Sequence, residues 1–510
     1  MWLVVNRTNL TARGVGLVAG RIRRTPDQRL TRVAAATVAT MLVAAGISGP
    51  AAASSTLPWG PCIDSTLAVA GFECARLDVP VDPNQPEAAQ FSLALTRHRS
   101  TGSTSERIGS LLYNPGGAFG SGLDAARRQW PALSTNVQRR FDLVSWDPRG
   151  FGATTPALKA CSVAPFRPPA TGPVDWTAQA AAYEPVVAAA NADCYARNAA
   201  IAAHMSTTDV TRDLEAIRVA LAEGQLTFYG ASNGTMIGYD YATTYPDKVR
   251  AMILDASINP LGSIAGLSAY SIAGDDAWKV FTAARPRAAR QFAASLAALN
   301  RKPLRLTPTQ IFTRWDLIGG ALGATADEQG YDQLAAAIGY VHLALTGAPA
   351  KRDAAKHVLL QDWTPAAEGW AAGQSSLVEC SDFTDRPSPA EQAALIEQAQ
   401  GAAPIAGPFL QTQVGLICEG IPPPTPTPLR APEQSSLPVL IIGATHDAVA
   451  PYPLTTGMKA HFPNARLIAY ASSQHVTWTG RSACVNNAAD RYLITASLPT
   501  HDLSCPTTHP

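Results

Sequence analysis

The sequence predicts an α/β fold: a mostly parallel sheet flanked by helices, with a helical cap inserted between two halves of that sheet. Three observations predict it. From about Leu77 onward, apolar runs alternate with helical patterns, as strands joined by crossover helices do. The interval 262–429 breaks that rhythm, being Ala-rich and helical in pattern without well-spaced β runs. The alternation resumes after Pro422-Pro423-Pro424-Thr425-Pro426-Thr427-Pro428, a stiff connector rather than a folded element.

The elements follow in order. Ile108 to Tyr113 and Phe141 to Trp146 read as strands. Between Asp209 and Leu221, apolar Val210, Leu214, Ile217 and Leu221 recur at helical spacing, giving a crossover helix that leads into a third strand, Leu226 to Tyr229. Val249 to Leu254, Leu437 to Ile442 and Arg466 to Tyr470 complete the set. The predicted division is a leader at 1–53, the N-terminal part of the core at 54–261, the cap at 262–430 and the C-terminal part of the core at 431–510.

Composition supports a globular protein with a sizeable core: 510 residues, 46% hydrophobic and 15% charged. With 40 Lys and Arg against 39 Asp and Glu, the formal charge is +1, which argues against a nucleic-acid partner. Positions 1–32 hold seven Arg and a single acid, Asp27. The apolar run Val33 to Ile47 that follows is short for a membrane span and ends in the small residues Ala51-Ala52-Ala53. This reads as a signal peptide cut after Ala53, the alternative being an uncleaved N-terminal anchor. Without the leader the chain has 33 basic and 38 acidic residues, net −5. The expectation is a secreted or cell-envelope protein with no stable membrane association after cleavage.

Eight cysteines, Cys62, Cys74, Cys161, Cys194, Cys380, Cys418, Cys484 and Cys505, all lie beyond the leader. An even number in an exported chain points to disulfides, and pairing sequence neighbours would close four modest loops, though many other pairings are open. No C-x-x-C occurs, so a zinc site is not expected; the reading needs no metal or cofactor.

The chemistry is carried by Gly230-Ala231-Ser232-Asn233-Gly234, a G-x-S-x-G turn between the strand at 226–229 and a helical pattern that stops near Pro246. The turn strains the Ser backbone, needs small residues on both sides and lifts the hydroxyl above the sheet, so Ser232 is the candidate nucleophile. A Ser hydroxyl needs a base, and the base needs a carboxylate to hold its tautomer. In such sheets the chain order is Ser, acid, His. Among the later histidines, His342 and His357 fall in the cap, His461 in a helical stretch, and His501 and His509 in the tail. His475, just after the strand at 466–470, is the candidate base. Asp447 in Gly443-Ala444-Thr445-His446-Asp447 is the candidate acid, with Asp255 as rival and His446 as a loop residue. The oxyanion of an acyl-transfer intermediate needs two backbone N–H groups. Asn233 supplies one, and Gly117 or Ala118 in Asn114-Pro115-Gly116-Gly117-Ala118-Phe119-Gly120 the other.

With these residues in place, the chain resembles the secreted tripeptidyl/prolyl aminopeptidase branch of the α/β hydrolases, serine exopeptidases also described as carboxylesterases. The likeness runs from about Trp59 to Cys505 and is strongest in NPGGAFGSG (114–122), FDLVSWDPRGFG (141–152), DLEAIRVAL (213–221), FYGASNGTMIGYDYATTYPDKVRAMILD (228–255), THDAVAPY (445–452) and the tail from SQHVTWTGRSAC to LSC (473–505). The resemblance implies the α/β-hydrolase fold, the triad Ser232, Asp447 and His475, and pairing of Cys380 with Cys418 and of Cys484 with Cys505. It departs from the branch where the usual GGPG reads Gly116-Gly117-Ala118-Phe119, where Asn233 follows the nucleophile and where Ile421 stands in place of a Trp.

An aminopeptidase must hold a protonated N-terminus, which calls for carboxylates facing the pocket. Glu379, Asp382 and Glu419, near the implied Cys380–Cys418 bridge, are the candidates. Asp147 and Arg149 are expected to brace a loop beside the oxyanion turn. The function expected is a secreted serine hydrolase releasing short N-terminal peptides through an acyl-enzyme, acting on a peptide or small ester. A carboxylesterase with the same triad is the first alternative. An inactive hydrolase-fold binding or surface protein is the alternative of another class.

Overall fold

A computed structural model describes residues 57–117, 120–258, 268–326, 328–362, 373–424 and 437–508; the expected leader and the oxyanion candidate Ala118 lie outside these. The strands are β1 Gly60–Pro61, β2 Glu73–Pro80, β3 Gln90–His98, β4 Gly109–Asn114, β5 Phe141–Trp146, β6 Leu226–Ala231, β7 Val249–Asp255, β8 Leu304–Arg305, β9 Ile311–Phe312, β10 Val439–Ala444, β11 Arg466–Tyr470 and β12 Leu503–Cys505. All except β8 and β9, which form their own small ribbon, join one sheet in the order β1-β2-β3-β5-β4-β6-β7-β10-β11-β12. From β5 to β12 every pairing is parallel. The β1–β2, β2–β3 and β3–β5 pairings are antiparallel.

Every residue of β4, β5, β6 and β10 is buried, as a parallel sheet covered on both faces requires, and that is why these strands read as continuous apolar runs. The antiparallel edge is absent from the predicted strands for a matching reason. In β2, Glu73, Arg76 and Asp78 interrupt the apolar pattern of a strand that is not covered on both faces. In β3 the signal is present, since Phe91, Leu93 and Leu95 alternate into the core. β12, at three residues, is too short to show a period.

Helices cover both faces. On one, the helix Thr207–Ala220 begins with a capping box in which Ser206 Oγ accepts from the Asp209 N–H and Asp209 accepts from the Ser206 N–H. Its Val210, Leu214 and Ile217 pack with Phe228 and Met252 of the sheet. On the other, Leu123, Val137, Tyr492 and Leu493 pack with Tyr229, Ile253 and Leu440. No described helix is long and apolar enough to cross a membrane.

Among the described residues, the stretch between β7 and β10 is helical apart from the β8–β9 ribbon. Its first part has a core of its own built on Trp278, Phe281, Phe292, Leu317 and Ile338. Its second part, including Leu377, Val378, Ile417 and the Cys380–Cys418 bridge, packs into the core of the sheet itself. Trp176–Arg197, which precedes β6, lies against the insertion, with Asn191 Nδ2 donating to the carbonyls of Ile417 (3.0 Å) and Glu419 (2.9 Å). The cysteines pair as sequence neighbours: Cys62–Cys74, Cys161–Cys194, Cys380–Cys418 and Cys484–Cys505.

Candidate active site

Strand order reverses at β4, because β5 lies on one side of it and β6 on the other. In open parallel sheets such a switch point opens a crevice at the carboxyl ends of the strands. The turns after β4 and β6 meet there. Ser232 follows β6 directly and has φ 52°, the left-handed conformation that a strand-to-helix elbow imposes. Its N–H donates to the Asp255 carbonyl (2.9 Å), and its carbonyl accepts from the Thr235 N–H (2.9 Å) and Oγ1 (2.6 Å). The flanking glycines are dictated by contact. A Cβ on Gly230 would stand 2.4 Å from the Gly234 carbonyl oxygen, and one on Gly234 would stand 2.6 Å from Asn114 Oδ1.

The turn after β4 is pressed onto this elbow. Gly116 has φ 74° and Gly117 φ 62°. A Cβ on Gly116 would fall 2.1 Å from the Ala231 carbonyl oxygen. The Gly116 N–H is committed to Asn114 Oδ1 at 2.9 Å. Gly117 lines, with Asn114, Asn233 and Gly234, a part-open cleft whose apolar wall includes Phe151, Met205, Val210, Ile237 and Val378.

Asp447 follows β10 and His475 follows β11, so both come to the same sheet edge as Ser232. His475 Nδ1 lies 2.8 Å from Asp447 Oδ2. The Asp447 side chain is fully buried, and its other oxygen accepts from the Val449 (2.7 Å) and Ala450 (2.9 Å) N–H groups, which fixes the carboxylate. The imidazole is one-fifth exposed, and Val476 beyond it has φ 63°. Among the described residues no hydrogen bond joins Ser232 Oγ to the imidazole; in serine hydrolases this bond is often long until the reacting complex forms.

Asp255, the rival acid, does something else. It is fully buried at the end of β7, and its Oδ2 accepts from the Thr477 N–H (2.9 Å), the Trp478 N–H (2.8 Å) and the Tyr229 hydroxyl (2.9 Å). Burial pushes this carboxyl up, and its donors, led by the Trp478 and Thr477 N–H groups, oppose the shift. Asp255 therefore anchors the backbone of the His475 loop. His446 turns away to the insertion, with Nδ1 2.8 Å from Asp276 Oδ2.

Asp147 and Arg149 brace the neighbouring loops. Asp147 accepts from Ser121 Oγ (2.8 Å) and the Ala153 N–H (2.7 Å). Arg149 is buried and forms a bidentate pair with Asp213 at 2.9 and 2.6 Å.

The three cap carboxylates separate. Both oxygens of Asp382 are taken by Thr207, from its N–H (2.8 Å) and its hydroxyl (2.7 Å), so this side chain pins the insertion to the first turn of the helix Thr207–Ala220 instead of facing a substrate amine. Burial pushes its carboxyl up to about 7. Glu419 is raised by burial and then by the charge of Glu184, with Arg386 opposing. The Glu379 carboxylate, beside Val378 of the cleft wall, makes no hydrogen bond or ion pair with another described side chain; burial raises it, and the charge of the chain's N-terminal ammonium opposes the shift. The buried Tyr270 phenol, raised first by desolvation, also feels the charges of Glu379 and Asp447, so both carboxylates lie within electrostatic reach of one side chain.

The family described as α/β hydrolase fold matches residues 109–477. This chain belongs to it. Among curated relatives of this α/β hydrolase, "Serine protease Hip1" of Mycobacterium tuberculosis is 28% identical over 88% of this chain and 90% of that protein. "Tripeptidyl aminopeptidase" of Streptomyces coelicolor is 28% identical over 90% of this chain and 88% of that protein. "Carboxylesterase B" of Mycobacterium tuberculosis is 30% identical over 88% of this chain and 89% of that protein.

Sequence reasoning did not single out several residues that reach this hydrolase's site. Asp255 as a loop anchor is one. Ala326, Glu328 and Tyr331 of the insertion, which bond to Ser473 and His475, are others. None carries a local signature, because each acts on a segment more than a hundred residues away.

Proposed function

We propose that this serine hydrolase is an exported aminopeptidase that releases short N-terminal peptides, with Ser232 as nucleophile, His475 as base and Asp447 as the acid that orients it. The observation that carries the reading is the 2.8 Å His475–Asp447 bond at the sheet edge where Ser232 is held at positive φ. His475 takes the Ser232 proton as Oγ bonds to the scissile carbonyl carbon. The oxyanion is received by the N–H groups of Asn233 and of Gly117 or its successor. Collapse breaks the C–N bond, and the departing amine takes the proton from His475. Water then repeats the sequence on the acyl-enzyme, with His475 again as base.

Peptide is favoured over ester by two of the named relatives and by Glu379, a buried carboxylate on the insertion whose charge would suit an ammonium group. The leaving group must sit on the imidazole side, where it is protonated. The cleft beside Gly117 and Asn233 includes no residue of the His475 loop and so suits the acyl side. The ester reading rests on the relative named Carboxylesterase B and needs the same triad. Four disulfides support an oxidising destination.

Turnover of free-amine tripeptide anilides, N-blocked anilides and short acyl esters separates the readings. The expected result is a strong preference for the free amine, with fluorophosphonate labelling abolished by Ser232→Ala. Equal rates on blocked and free substrates would remove the aminopeptidase assignment.

A further inference from the structure

The loop after β11 is held from two sides. At its far end, the N–H groups of Thr477 and Trp478 donate to Asp255 of the sheet. At its near end the acceptors belong to the insertion. The Ser473 N–H donates to Glu328 Oε1 at 2.6 Å, the His475 N–H donates to the Ala326 carbonyl at 3.0 Å, and the Ser473 and Tyr331 hydroxyls are 2.8 Å apart. Between them, the Gln474 N–H is met locally by Ser472 Oγ (3.0 Å). The backbone of His475 is thus tied to the helical insertion, and only its imidazole is tied to the sheet's own Asp447.

Ser473 is fully buried and Tyr331 nearly so. These bonds lie inside the seam between insertion and sheet, where a donor that loses its acceptor is left uncompensated. The positive φ of Val476, immediately after the imidazole, adds a strained turn that persists only when its surroundings fix it.

We infer that Glu328 and Tyr331 are positioning residues: by holding Ser473 they fix the His475 loop, so that proton transfer at Ser232 depends on the insertion being seated. This rests on the reading of His475 as base. When the insertion lifts, Ser473 and His475 lose their acceptors together, and the imidazole keeps Asp447 but loses the backbone frame that aims Nε2. Reseating restores both.

The test uses the full chain with Glu328→Ala, Glu328→Gln and Tyr331→Phe, measuring kcat and KM on a free-amine tripeptide anilide, the rate of fluorophosphonate labelling of Ser232, and the melting temperature. Glu328→Ala is expected to lower kcat and labelling rate together by roughly ten- to a hundred-fold, the scale of a misaligned catalytic group, with KM little changed. Glu328→Gln keeps an oxygen for the Ser473 N–H and is expected to recover most of the rate. Tyr331→Phe should show the same pattern with a smaller loss. Folded Glu328→Ala and Tyr331→Phe proteins with wild-type kcat and labelling would overturn the inference, as would a loss confined to KM. If Glu328→Ala does not fold, Tyr331→Phe at wild-type rates is sufficient to overturn it. His475→Ala is the separate control: if it still labels and turns over, the assignment of the base has failed, independently of what holds the loop.

Discussion

Asp255 ends β7 and Asp447 follows the neighbouring β10, and replacing each by Asn tells their roles apart. Asp447 Oδ1 receives two backbone N–H groups, from Val449 and Ala450, while Oδ2 faces His475 Nδ1. In Asp447→Asn the amide oxygen must stay with the two N–H donors, since the amide nitrogen would repel them. The NH₂ group is then forced onto Nδ1, which must accept, and the ring proton moves to Nε2. That is the tautomer that cannot take a proton from Ser232. The same wrong-tautomer substitution in a serine protease triad costs about 10⁴ in kcat, equivalent to about 5 kcal/mol of barrier. Asp255→Asn has the opposite outlook. Its amide oxygen can occupy the Oδ2 position and keep Thr477, Trp478 and Tyr229, and its NH₂ then meets Thr477 Oγ1, which can accept. Burial already disfavours the charge there, so neutralising it is expected to leave kcat within roughly ten-fold. The assay is kcat on a tripeptide anilide with melting curves for both variants. If Asp447→Asn stays within about ten-fold of wild type while Asp255→Asn loses about a thousand-fold, the assignment of the acid is wrong.

Three further outcomes follow from particular contacts. The raised Asp382 carboxyl means the folded protein binds a proton more tightly than the unfolded chain does. Its contribution is therefore present below the ordinary carboxylate range and is lost as pH rises toward about 7; Asp382→Asn should gain stability relative to wild type at pH 8 compared with pH 4, read from urea midpoints. Gly116→Ala combines positive φ with a Cβ driven against the Ala231 carbonyl, and is expected to cost about 1–3 kcal/mol and most of the turnover; wild-type melting and activity would contradict the close packing of the two turns. Removing the Cys380–Cys418 bridge by paired Ser substitution, which frees a link across 38 residues, should destabilise the chain by about 4 kcal/mol in denaturant titrations.

The strands that carry the site, the G-x-S-x-G elbow and the crossover helix at 209–221 were legible because their signals are local. A doubly covered strand must be apolar along its length, a helix repeats every three to four residues, and a tight elbow excludes a side chain at 230 through contact with its own Gly234 carbonyl. The position of Asp447 and His475 after late strands was legible as chain order. What each carboxylate touches was not. Asp382 looked like a substrate ligand from its place beside a cap cysteine, and it instead caps a helix 175 residues earlier. Asp255 looked like a second acid, and it instead holds Thr477 and Trp478, 222 and 223 residues later.

By itself, then, the sequence determined which backbone segments become strands and which turn must hold a serine, since those depend on steric and periodic constraints within a few residues. The tertiary structure alone decided which oxygen meets which proton. Hydrogen bonds are short and directional, so their partners are settled only when β7, β10, β11 and the insertion are brought to fixed distances from one another.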